Sequence, residues 1–145
     1  MSAPRTTEYA VRGLLALALE GENGKVRQAA ELARASGAPA KFLEQVLGLL
    51  RKGGFVKSRR GAGGGYELAK SADQIRMSEV IQWIEGEGVE TVSRAGDHLG
   101  EEWSVLRERA REAAQQVFDG ETLAAMAERV RGRRAARGKA TEYQI

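Results

Sequence analysis

Cysteine is absent from the 145 residues, and histidine occurs once, at His98. The first absence excludes disulfides, thiolate chemistry, cysteine-ligated zinc and ordinary iron–sulfur ligation. The second leaves a Ser-His-Asp triad only His98 to use. That residue sits in a polar, loop-like stretch, RAGDHLGEEW, and no serine-elbow sequence occurs elsewhere. It reads as a solvated loop histidine. Long apolar runs are missing too. The longest near the start, Gly13–Leu19, is too short to cross a bilayer and follows Glu8 and Arg12, which argues against a signal peptide. The expectation is a cytoplasmic protein with no membrane span, no metal, no cofactor and no catalytic constellation.

What is present is charge, unevenly spread. The net charge is only +3. Residues 1–70 hold 12 Lys/Arg against 6 Glu, residues 71–128 hold 5 Arg against 13 Asp/Glu, and residues 129–145 hold 6 Lys/Arg against 1 Glu. A basic front is the footprint expected of a nucleic-acid surface, and an acidic middle is not. The basic end reads either as a solvated tail or as a source of nonspecific phosphate contacts.

Apolar spacing predicts a helix over Thr6–Leu19 that is apolar almost all round and so buried on several sides. A short helix over Arg27–Ser36 and another over Pro39–Lys52 follow, joined by Ser36-Gly37. Phe42, Leu43 and Val46 are expected to hold the second of this pair to the core, with the alternative that Phe42, a large aromatic near the helix start, touches a DNA backbone. Two short helices with a glycine turn suggest a helix-turn-helix. Phe55–Arg59 and Tyr66–Ala69 then read as two strands around RGAGGG, which adds a wing. The glycines fit neither a P-loop nor a dinucleotide fingerprint: Lys70-Ser71 comes too late, and YEL after the glycines reads as a strand, not a helix. As a hairpin tip they supply positive φ and remove side chains, while Arg59 and Arg60 bring charge suited to a narrow minor groove and Lys57 adds phosphate attraction. The bland reading is solvated charge on a tight hairpin.

Ile75–Glu85 predicts a fourth helix and 86–100 a loop. Trp103–Val117 predicts a longer helix whose stripe Trp103, Leu106, Ala110, Ala113 and Val117 wants covering, by a partner helix or within one subunit. Thr122–Val130 is a last short helix, and GRRAARGKATEYQI has no apolar periodicity and reads as a flexible basic tail. The organisation expected is a winged domain over residues 1–86, a connecting loop over 87–102, a dimerisation helix and terminal helix over 103–132, and the tail over 133–145.

Tyr9-Ala10-Val11, FLEQVLGLLRKGGFV, RGAGGGYELA and EVIQWIEG together resemble the winged-helix transcription regulators of the IscR, CymR and NsrR type, the Rrf-two family. The resemblance implies a mainly α fold with a β-hairpin wing. It implies a homodimer, most often a repressor, on a palindromic operator in double-stranded DNA. By motif match, Lys41, Glu44 and Gln45 lie at the exposed start of the recognition helix. The wing set is Lys57, Arg59, Arg60, Gly61, Gly63 and Gly64, and Arg5 joins the cationic contacts. The helix side chains are suited to reading bases. Gln can pair with an adenine edge, Glu can accept from cytosine N4, and Lys can reach guanine or phosphate. Phe42 stands where the family often has tyrosine. Many members hold a two-iron two-sulfur cluster with three cysteines before the long helix; here that loop offers Ser93, Asp97 and His98, so no cluster is expected. A small effector near Trp83 and Trp103, a protein partner, or no effector at all remain open. So does the competing reading of an interaction module that keeps the fold without operator recognition.

Overall fold

The computed structural model describes residues 4–20, 26–86 and 96–143. The turn over 21–24, Ser93 and most of the expected connecting loop lie outside them. Six helices and one hairpin follow in the order α1 (Pro4–Glu20), α2 (Ala29–Ser36), α3 (Ala40–Lys52), β1 (Val56–Arg59), β2 (Gly65–Leu68), α4 (Met77–Glu85), α5 (His98–Asp119) and α6 (Leu123–Tyr143), with a 3-10 turn at Ala72–Gln74 before α4.

Helix α1 is the centre of the core, as its all-round apolarity predicts. Ala10, Leu14, Ala16, Leu17 and Ala18 are buried, and α2, α3, α4, β2 and α6 all pack on it. Gly13 faces Leu43 so closely that an added Cβ would sit 3.2 Å from Leu43 Cδ1, which lets α1 and α3 approach. The α2–α3 turn is stitched three ways. Gly37 adopts φ 72°, a conformation that glycine reaches without steric cost. Ser36 Oγ donates to the Ala33 carbonyl at 3.3 Å and accepts from Ala38 N at 3.3 Å, and Arg12 donates to the Ser36 carbonyl at 3.0 Å.

Several elements differ from the sequence expectation. Helix α2 starts at Ala29 because Arg27 is used otherwise: its N–H donates to Tyr66 O at 2.8 Å and its carbonyl accepts from Tyr66 N at 2.7 Å. This makes a single antiparallel bridge between Arg27 and the wing. Helix α4 starts at Met77, since Ile75 and Met77 are tied by backbone hydrogen bonds to Leu123 and Glu121 at the start of α6. Helix α5 starts at His98, ahead of Trp103, where Asp97 accepts a capping bond from Gly100 N at 3.1 Å. The largest correction concerns the basic end. Helix α6 runs on to Tyr143 through the stretch expected to be a flexible tail. That stretch is rich in Ala and Arg, strong helix formers. Its side chains from Gly132 to Lys139 are all exposed, so a helix there needs no apolar periodicity.

Candidate nucleic-acid interface

Helix α3 buries Leu43, Val46, Leu47 and Leu50 and turns the opposite face outward. Lys41, Glu44, Gln45 and Lys52 are exposed on that face at spacings of three, one and seven residues, which keeps them within one side of the helix. Gly48 falls in the middle of the same side, and nothing lies within 4 Å of where its Cβ would be. The outward surface therefore has four polar groups around a bare patch. Sequence reasoning misses Gly48. Its only signal is a glycine inside a helix, at the i+3 position from Gln45. Phe42 corrects an expectation: it is 56% exposed and does not hold α3 to the core. Its ring meets only the edge of the core, with its centroid 6.1 Å from that of Tyr9. Leu43 and Val46 anchor the helix as expected.

Because Gly48 has no steric duty inside the protomer, Gly48→Ala should raise stability by about 1 kcal/mol, the difference in helix propensity. Urea or thermal unfolding checks it; an unchanged or lower midpoint would contradict the open surroundings described.

The wing is an antiparallel hairpin with Val56 opposite Leu68, Lys57 opposite Glu67, Ser58 opposite Tyr66 and Arg59 opposite Gly65. Val56 and Phe55 plant its base in the core. Gly64 N closes the tip on Gly61 O at 2.9 Å. The glycines have separate duties. Gly61 has φ 106° and Gly65 φ 153°, and a Cβ on Gly64 or Gly65 would run into the carbonyls of Arg59 and Arg27 respectively. Gly63 is under neither constraint and is exposed at the tip. Among the cations, Arg60 is exposed beside the tip. Lys57 and Arg59 lie on one face of the hairpin and both approach the Glu67 carboxylate, at 3.5 and 3.4 Å. Arg5 is exposed on the first turn of α1.

The remaining candidates separate in space. Trp83 is exposed rather than packed inward, with its indole N–H donating to the Leu49 carbonyl at 2.8 Å. It lies so close to Gly53 that a Cβ there would sit 2.7 Å from Nε1. The shallow cleft beside it is lined by Gly53, Phe55, Glu79, Gln82 and Gly86, and does not include Trp103. On α5, no residue is buried. Trp103, Leu106 and Val117 are exposed large apolar groups, and the early start of the helix adds Leu99, which is 88% exposed, to the same stripe. Between them Arg111 bonds Glu108 at 2.6 Å and holds its carboxyl below the usual carboxylate range.

Donor chemistry does not fit a thiolate-held cluster. The chain has no cysteine, and among the described residues no three His, Asp or Glu side chains gather to hold an ion. No helix of the described residues is long and apolar enough to cross a membrane.

A family model described as "Rrf2: Iron-dependent Transcriptional regulator" matches residues 3–129. The chain is 34% identical over 113 residues to the helix-turn-helix-type transcriptional regulator IscR of Cereibacter sphaeroides, covering 77% of this chain and 70% of that one. It is 35% identical over 108 residues to a helix-turn-helix-type regulator of Synechocystis, covering 73% and 72%. Among solved structures, T. potens IscR superposes with a TM-score of 0.72 at 28% identity, covering 90% of this chain and 88% of that chain. CymR, the global cysteine regulator of B. subtilis, superposes with a TM-score of 0.72 at 28% identity, covering 88% and 97%. With its winged helix-turn-helix and long C-terminal helices, this chain belongs to the Rrf2 family of transcriptional regulators, DNA-binding proteins rather than enzymes.

Proposed function

We propose that the protein is a homodimeric repressor that reads a palindromic operator, with α3 in the major groove and the wing in the adjacent minor groove, and that it does so without an iron–sulfur cluster. The observation that carries this reading is the outward side of α3: Lys41, Glu44 and Gln45 exposed around the bare Gly48, with no ion pair among the described residues engaging Lys41 or Glu44. Solvated polar side chains that no other protein group among the described residues engages, around a spot with no side chain, suit close approach to base edges. The wing supplies a glycine tip and the exposed Arg60, and Arg5 adds charge. The stripe Leu99, Trp103, Leu106, Ala110, Ala113 and Val117 supplies the dimer contact, which sets half-site spacing.

The test is fluorescence anisotropy with the duplex upstream of the protein's own gene against a scrambled duplex, across a salt series. A specific reader prefers the former by about a thousandfold or more and shows a steep salt slope. Arg60→Ala should weaken binding severalfold and flatten the slope by about 1, whereas Gln45→Ala should relax base preference at one position per half-site, worth about 1–3 kcal/mol. Unchanged binding in both variants would remove α3 and the wing from the interface. Equal, weak affinity for both duplexes would instead favour an interaction module with this fold, to which the acidic middle of the chain would be suited.

A further inference from the structure

Glu67 is out of place in a cationic wing. It stands directly opposite Lys57 and is only 9% exposed. Its Oε1 is buried, lies 3.5 Å from Lys57 Nζ and 3.4 Å from Arg59 Nε, and makes no hydrogen bond. Arg59 is paired with Gly65, whose missing side chain leaves its guanidinium room to turn back along the strand toward Glu67. A dehydrated carboxylate oxygen without a donor is costly, and the two cations offset that cost only through charge. Both cations nonetheless remain largely open to solvent. The arrangement thus commits two of the three wing cations to one internal acid, in the part of the molecule where phosphate is to be met.

We propose that Glu67 is an internal competitor for the wing cations. In the free protein it occupies Lys57 and Arg59, and a phosphate or minor-groove contact must draw them away. Carboxylate and phosphate oxygens offer guanidinium and ammonium the same chemistry, so exchanging one for the other yields little on an arbitrary duplex. On the operator, the base contacts of α3 hold the wing in place and the exchange is driven. Glu67 therefore lowers affinity for any duplex that takes up the wing cations, by at most the energy of the ion pairs given up, and the whole of that cost falls where the exchange is completed. This inference rests on the reading of the wing as a DNA-contacting element.

The experiment uses the full chain carrying Glu67→Gln, with a short random-sequence duplex and the upstream duplex, read by anisotropy across a salt series. The expected result is random-sequence binding about threefold to tenfold tighter, a salt slope steeper by about 1 for each cation released, and a gain at least as large on the upstream duplex. The same substitution in a Lys57→Met/Arg59→Met background should give no gain. Unchanged or weaker random-sequence binding by a variant with native-like thermal unfolding overturns the proposal. If Glu67→Gln does not fold, Glu67→Met, of similar length and without charge, is read in the same way. Failure of both to fold overturns the proposal in favour of a purely structural acid. Wild-type protein that binds neither duplex overturns the DNA reading of the wing as well; wild type that binds normally beside an unresponsive Glu67→Gln overturns the competitor alone.

Discussion

If α5 pairs two subunits as proposed, Leu106→Asp should turn the dimer into a monomer and lower its affinity for a two-half-site operator by about a hundredfold or more. In the protomer, α5 is a 22-residue helix with no buried residue. Its apolar groups Leu99, Trp103, Leu106, Ala110, Ala113 and Val117 recur at alternating intervals of four and three, the seam of a helix pair. Ala110 and Ala113 are small and allow two axes to approach to about 8–10 Å. Leu106 is near the middle of the seam, so an aspartate there places an unpaired charge where water is excluded, at a cost of several kcal/mol. Losing the second subunit removes the effective concentration that the linked half-sites share, which is worth about 10²–10⁴ in affinity. Light scattering after size exclusion reads the first effect and anisotropy the second. A wild-type monomer, or a variant that stays dimeric, would remove α5 from the interface.

The second large effect is Gly65→Val. The substitution should cost roughly 3 kcal/mol, because φ 153° is strained for a β-branched residue and its Cβ would meet the Arg27 carbonyl. That carbonyl is held in place by the paired bonds between Arg27 and Tyr66, so relief would require giving up the bridge between Arg27 and the wing. The melting temperature should fall by roughly 10 °C for a chain of this size. Gly63→Val, in contrast, meets nothing and should leave stability within about 0.5 kcal/mol. Thermal unfolding of the two variants compares them. Equal losses would mean that the tip is held more tightly than its open surroundings indicate. Binding separates them further: a wing tip lodged in a minor groove has no room for the Gly63→Val side chain, so this variant should stay folded and bind poorly.

Much of this arrangement is legible in the residues. The helical spacing of α1 and α3, Ser36-Gly37 between α2 and α3, and the glycine tip between two short strands all have local causes, so period and turn chemistry suffice to find them. The differences have non-local causes. Phe42 has the composition of a core residue but lies just past the edge of what α1 covers. Trp83 donates its indole N–H to the Leu49 carbonyl, 34 residues away in the chain, a pairing that no local pattern shows. The polar, basic stretch of α6 reads as a tail because periodicity reports burial, and a helix whose residues are all exposed has none to report. Gly48 and Leu99 are hidden for the opposite reason: their meaning depends on what surrounds them, and only a helix boundary or an empty neighbourhood reveals it.

Local sequence determined the elements, the turns and the cationic character of the front of this chain, because backbone preference and side-chain periodicity act over a few residues. Only the tertiary structure decided which cations are free. Lys57, Arg59 and Arg60 are equivalent as letters, but strand pairing sets Glu67 opposite Lys57 and within reach of Arg59, while Arg60 stands past the end of the ladder beside the tip. Charge is a property of the residue; whether it is available to a partner depends on which acid the fold brings within a few ångströms.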